Sequence, residues 1–172
     1  FALFVTQKLH AGNIGIAILY SISGLALFAS APLWGRYFAR LQKMNANTSY
    51  PLAKILLVAA FTQFALAYTS SFSLALALRL LWGICLGAIA PQLYSILSTI
   101  TKQHRIGKLM GFGYSALKSG SLIGISIGAA IGAYFSFSIN FIVIGSIYII
   151  AAIALPLSQK QRFKAKVIYN EQ

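Results

Sequence analysis

Long uncharged runs constrain this chain more than any other feature of its sequence. They cover residues 9–35, 55–78, 80–101, 109–117 and 119–159. One helical crossing of a bilayer needs roughly 20 apolar residues, and most of these runs reach that length. Because 59% of the residues are hydrophobic and only 9% are charged, the chain has too little charge to cover a water-exposed surface. The sequence therefore predicts an all-α, polytopic transmembrane helix bundle surrounded by a lipid bilayer.

The positive charges lie in alternate gaps between these runs. The chain has 14 Lys and Arg residues against one acid, Glu171. Eleven of the cations fall in the segments 36–54, 102–108 and 160–166. The turns 69–73 and 136–138 carry no charge. Cytoplasmic loops of membrane proteins are rich in Lys and Arg. We therefore expect a plasma-membrane protein (inner membrane in a Gram-negative bacterium) with a cytoplasmic carboxyl end and no nucleic-acid partner.

The apolar pattern predicts five complete crossings and one partial crossing. The helices are expected at about 13–34, 51–69, 73–99, 109–134 and 139–157, with a cytoplasmic tail over 158–172. Pro51 suits the first turn of its helix, where a missing N–H needs no partner. At about 1.5 Å per residue, the opening segment 1–9 cannot cross a bilayer. We interpret it as the end of a helix whose beginning is missing, and the chain as a fragment.

The fourth predicted helix carries a glycine ladder, with one glycine at every fourth position. Its members are Gly120, Gly124, Gly128 and Gly132. In water each would weaken a helix by about 1 kcal/mol relative to alanine, but helices in lipid associate through close backbone approach at small residues. The third predicted helix repeats the spacing with Gly83 and Gly87, followed by Pro91. The ladder is either a static packing surface or a sliding interface between two moving bundles.

Three motifs resemble signatures of the major facilitator superfamily. After the first predicted helix, Gly35, Arg40 and Lys43 fit the family's loop motif G-x-x-x-D-[RK]-x-G-[RK], with Ala39 in place of its aspartate and Gln42 in place of its second glycine.

The second and third motifs lie on the third and fourth predicted helices. Arg79 and Gly83 fit the family's R-x-x-x-G pattern. The drug-antiporter signature G-x8-G-x3-G-P-x-x-G-G is matched by Gly111, Gly120, Gly124 and Gly128. Ile125 replaces its proline and Ala129 its last glycine. The three motifs occur in the family's order and span most of the chain.

The resemblance implies an architecture and a function. Members of this family have twelve helices in two six-helix bundles, so residues 1–172 would form most of one bundle, and the altered loop and short tail favour the second. The ladder helix would then lie at the interface with the missing amino-terminal bundle, where alternating access requires rocking. We expect a secondary active transporter that exports a small organic solute, a drug or metabolite, and not an enzyme. A non-transporting membrane scaffold or assembly subunit is the alternative.

Two cations fall inside predicted crossings. Lys118 lies ten residues beyond Lys108, about 15 Å into its helix and near the bilayer midplane. A charge at that depth costs roughly 3 kcal/mol or more. Lys118 either lines a water-filled cavity without a specific ligand, or contacts an anionic substrate or the missing bundle. Arg79 lies about 10 Å from the external membrane surface. It either anchors its helix by extending its side chain outward or takes part in translocation.

The uncharged polar residues of the crossings divide into two groups. Gln92, Tyr94 and Ser95, at and beyond the Pro91 kink, are candidates for the substrate cavity. Gln63 and Asn140 are expected to form helix-to-helix hydrogen bonds, as is common for amides in membrane helices.

Neither a catalytic site nor a metal or cofactor site is predicted. His10 and His104 have no neighbours at ligand spacing, and Cys85 is alone in an apolar run, where a structural thiol is expected. The only acid lies in the tail, so no nucleophile, base and orienting acid can be assembled. The G-x-G-x-x-A run at 111–116 opens a membrane helix instead of joining a strand to a helix, so it does not indicate a nucleotide site.

Overall fold

The helices of this protein follow the apolar runs of its sequence. The computed structural model describes residues 1–44, 47–92 and 106–170, and these form helices and short connections without a strand. The helices are α1 (Ala2–Gln7), α2 (Asn13–Lys43), α3 (Ser49–Tyr68), α4 (Phe72–Leu86), α5 (Ile106–Tyr134) and α6 (Phe137–Asn170).

Within this part of the chain, five helical segments are long and apolar enough to cross a membrane. They are Asn13–Lys43, Ser49–Tyr68, Phe72–Gln92, Gly107–Gly132 and Phe137–Leu157. The prediction of an all-α bundle with five crossings is confirmed.

Two helices extend beyond their predicted ends. The prediction that the first crossing helix stops at residue 34 and a loop begins at 36 is wrong, because α2 continues to Lys43. Residues 35–43 contain no helix breaker apart from Gly35, and Arg40 and Lys43 suit the negative end of the helix dipole. The segment predicted as the tail is likewise helical to Asn170, beyond Pro156. Hydropathy marks where a helix leaves the bilayer core, which need not be where the helix ends.

Helix α3 is the most enclosed crossing. It packs against α6 and α4, and α4 packs in turn against α2. One buried cluster includes Phe4, Leu19, Leu66 and Phe141 near the end of α3, and a second includes Phe38, Leu52, Leu56, Cys85 and Ala152 near its start. The position of Cys85 in the second cluster is that of a structural thiol.

Helices α2 and α4 cross at two glycines. A Cβ placed on Gly83 would collide with the carbonyl oxygen of Ser23 and lie 2.9 Å from the Cβ of Ala26. A Cβ on Gly87 would collide with the hydroxyl of Ser30. Small residues therefore set the distance between these helices, as in other membrane bundles.

The end of α4 strengthens the same crossing. Regular helix stops one turn before Pro91, which has no N–H to donate. The N–H of Ala88 bonds to the carbonyl three residues earlier at 3.1 Å, so the carbonyl of Ile84 lacks its usual helical partner. The indole Nε1 of Trp34 donates to that oxygen at 2.8 Å, and the hydroxyl of Ser30 donates to it at 3.3 Å. Side chains of α2 thus satisfy the carbonyl that the break exposes.

Candidate functional site

A cavity of about 110 Å³ lies inside the bundle, at the end where α3 turns into α4. Most of its wall is apolar, formed by Phe1, Phe4, Trp82, Phe137, Phe141 and Ile144. Three polar side chains complete the wall: Gln63 from α3, Arg79 from α4 and Asn140 from α6. Each of these three polar residues lies within about two helical turns of a helix end that adjoins the connection 69–71 or 135–136. The turns of the chain therefore bring these residues together.

Arg79 lies among aromatic rings. Its side chain is only 7% exposed, and its guanidinium carbon is 3.5 Å from the ring centroid of Phe1 and 4.9 Å from that of Trp82. Its Nε has no hydrogen-bond partner. The sequence has a single acid, Glu171, which lies outside the described residues. Cation–π contacts therefore surround a charge that has no counter-ion among the described helices.

Gln63 and Asn140 differ in how their amides are satisfied. Gln63 is 2% exposed, and its Nε2 has no hydrogen-bond partner, so this donor does not form the predicted helix-to-helix bond. The Nδ2 of Asn140 donates to the carbonyl of Gly128 at 3.2 Å. This bond joins α6 to α5 and confirms the prediction for Asn140.

The other predicted cavity residues lie elsewhere. Gln92 is fully buried, and its Nε2 donates to the hydroxyl of Thr48 at 2.6 Å, which ties the end of the third crossing to the start of α3. Lys118 is exposed on α5, with its ammonium 5.4 Å from the ring centroid of Tyr114. Tyr94 and Ser95 lie outside the described residues. The structure therefore does not bring Arg79, Gln92 and Lys118 into one site.

The glycine ladder is open. A Cβ placed on Gly120, Gly124 or Gly132 would meet nothing within 4 Å, and one on Gly128 would approach only the amide of Asn140, at 3.5 Å. The same holds for Gly111, which also has open space around it. Unlike the closed crossing at Gly83, the ladder has a neighbour among the described residues only at Gly128, where the amide of Asn140 lies against it.

The residues of the loop motif lie on the last turns of α2. Arg40 and Lys43 are exposed there, and Gly35 lies near Pro91, whose Cβ would be 3.9 Å from an added Cβ. This motif is thus part of a helix in the structure.

Sequence reasoning missed two features near the cavity. It assigned no role to the phenylalanines, although the spacings of Phe1 with Phe4 and of Phe137 with Phe141 place each pair on one helix face. It also overlooked Lys8, whose ammonium donates to the carbonyl of Ala67 at 2.7 Å. The hydroxyl of Ser138 donates to the same oxygen at 2.7 Å. Together they cap the carboxyl end of α3.

Comparison with known proteins gives one family. Residues 1–167 match the profile of the Major Facilitator Superfamily. The uncharacterized MFS-type transporter YuxJ of Bacillus subtilis is 27% identical over 165 residues, which cover 94% of this chain and 40% of the relative. The multi-drug resistance efflux pump PmrA homolog of Lactococcus lactis is 23% identical over 171 residues, covering 93% and 41% respectively.

A third relative is also a transporter by name. The staphyloferrin B transporter of Staphylococcus aureus is 29% identical over 140 residues, which cover 81% of this chain and 32% of the relative. The chain thus spans about two fifths of the first two relatives and a third of the third. No solved structure matches it.

Proposed function

Because this chain belongs to the major facilitator superfamily, we propose that it forms most of one six-helix bundle of a secondary active transporter. The transporter would export a small organic solute, a drug or metabolite, across the plasma membrane by alternating access. The match over residues 1–167 carries this proposal, and the five apolar helices support it. Two of the relatives bear the names of a multi-drug resistance efflux pump and a staphyloferrin B transporter, which supports transport over a scaffold role.

The open face of α5 supports a moving interface. The ladder at Gly120, Gly124 and Gly132 leaves space for a neighbouring backbone, whereas the crossing of α2 and α4 at Gly83 is closed. We assign the ladder to the contact with a second six-helix bundle, which small residues would allow to rock. Exposed Lys118 on the same helix would then lie next to the path of the solute.

The test is an efflux assay with the complete transporter in cells that lack their own major drug exporters. Energised cells are loaded with a panel of fluorescent cationic, neutral and anionic compounds. We expect at least one compound to accumulate less than in cells with an empty vector, and a protonophore to abolish the difference. A protein that reaches the membrane but changes the accumulation of no compound would favour the scaffold role.

A further inference from the structure

Two buried donors without partners belong to residues that line the cavity described above, which α1, α3, α4 and α6 enclose. They are the Nε2 of Gln63 and the Nε of Arg79. We propose that this cavity is a binding site for a short-chain monocarboxylate, separate from the path of the exported solute. The argument uses the chemistry of the two donors, the charge balance of the helices, and the size and lining of the cavity.

The donors determine the polarity of the ligand. A buried N–H without an acceptor is costly, and both orphaned atoms are donors. The side chains that carry them are 2% and 7% exposed, so bulk water cannot satisfy them freely. A ligand that fits must therefore bring acceptor oxygens to the side of the cavity that Gln63 and Arg79 form.

The charge of Arg79 selects an anion over water or a neutral amide. Arginine remains charged in proteins, and the helices described here contain no acidic residue to balance it. A carboxylate supplies one negative charge and two oxygens, which can accept from the guanidinium and from the neighbouring amide. Charge-assisted hydrogen bonds of this kind are about twice as strong as neutral ones.

The size and lining of the cavity limit the rest of the ligand. Its volume is about 110 Å³, and its remaining wall consists mainly of phenyl rings and the indole of Trp82. Since one water molecule needs roughly 10–15 Å³ of such cavity volume, the cavity has room for several non-hydrogen atoms. Drug-sized ligands need roughly 300 Å³ or more. A carboxylate with a short alkyl chain fits, its head on the donors and its tail against the rings, whereas a drug-sized solute does not.

The experiment measures equilibrium binding of radiolabelled propionate to the purified protein in detergent, by scintillation proximity. We expect saturable binding that unlabelled propionate displaces and that propionamide, which has the same shape without the charge, displaces at least tenfold less well. Gln63→Leu removes one donor at nearly constant volume and should weaken binding about tenfold or more.

The matched control is Thr62→Val. Thr62 is fully buried next to Gln63, but its hydroxyl donates to the carbonyl of Ala59 in its own helix at 2.7 Å and it does not line the cavity. We expect this variant to bind propionate within about twofold of the unmodified protein. Absence of saturable binding, equal displacement by propionamide, or unchanged affinity in Gln63→Leu would each overturn the proposal. The assay measures binding and not transport. Its result can therefore be interpreted even if the export proposal fails.

Discussion

Adding one methyl group at Gly83 tests how the bundle is held together. In Gly83→Ala the new Cβ would collide with the backbone oxygen of Ser23 and approach the Cβ of Ala26 to 2.9 Å. Neither atom can rotate away, so α4 must move away from α2. That movement also stretches the 2.8 Å hydrogen bond from the Trp34 indole to the Ile84 carbonyl.

The expected loss follows from these two contacts. Overpacking a close contact costs about 1–3 kcal/mol, and weakening a buried hydrogen bond costs about 1 kcal/mol. Alanine regains up to about 1 kcal/mol through its better helix propensity. The net destabilisation is therefore about 1–3 kcal/mol. For a chain of this size, 1 kcal/mol corresponds to about 2–4 °C, so we expect the Tm to fall by about 2–12 °C.

The measurement is thermal unfolding of the purified protein in detergent, with all variants scanned at the same rate. Gly24→Ala in the partner helix α2 is the matched control, because a Cβ on Gly24 would meet nothing within 4 Å. This control should leave the Tm unchanged or raise it. If both variants shift the Tm equally, the crossing at Gly83 does not have the close geometry described here, and the reasoning fails.

Three further predictions concern transport and topology. Lys118→Ala should weaken export of anionic solutes most, and Lys118→Arg should retain more activity because the charge survives; equal kinetics for anionic and neutral solutes in both variants would contradict this. Gly124→Leu should reduce transport more than Ala130→Leu, the control that adds a similar side chain elsewhere on α5. Equal losses of transport in flux assays would show that the ladder has no special role. A cysteine at exposed Ser71 should react with an impermeant thiol reagent added outside intact cells, while one at exposed Met44 should not; the reverse pattern would invert the proposed orientation.

The sequence was sufficient to predict the all-α class and the five crossings found within the described part of the chain. Backbone N–H and C=O groups must be satisfied internally in a bilayer, so an apolar run of about 20 residues has few alternatives to a helix. The predicted crossings 51–69 and 109–134 agree with α3 and α5 to within a few residues at each end, whereas α2 and α6 continue well beyond their predicted ends. Motifs such as Arg79 with Gly83 also indicated the family that the comparison over residues 1–167 shows.

Which residues pack against each helix face could be determined only from the tertiary structure. In a soluble protein, polar residues mark the outer face of a helix, but lipid is as apolar as a bundle interior, so this mark is absent. The glycines at 83 and 124 look alike in sequence, yet a Cβ on the first collides with α2 and a Cβ on the second meets open space. Gln63 and Arg79 lie on different helices, and only the packing of α3, α4 and α6 directs both toward one cavity. Helix existence depends on local composition, whereas these pairings depend on contacts between residues far apart in the chain.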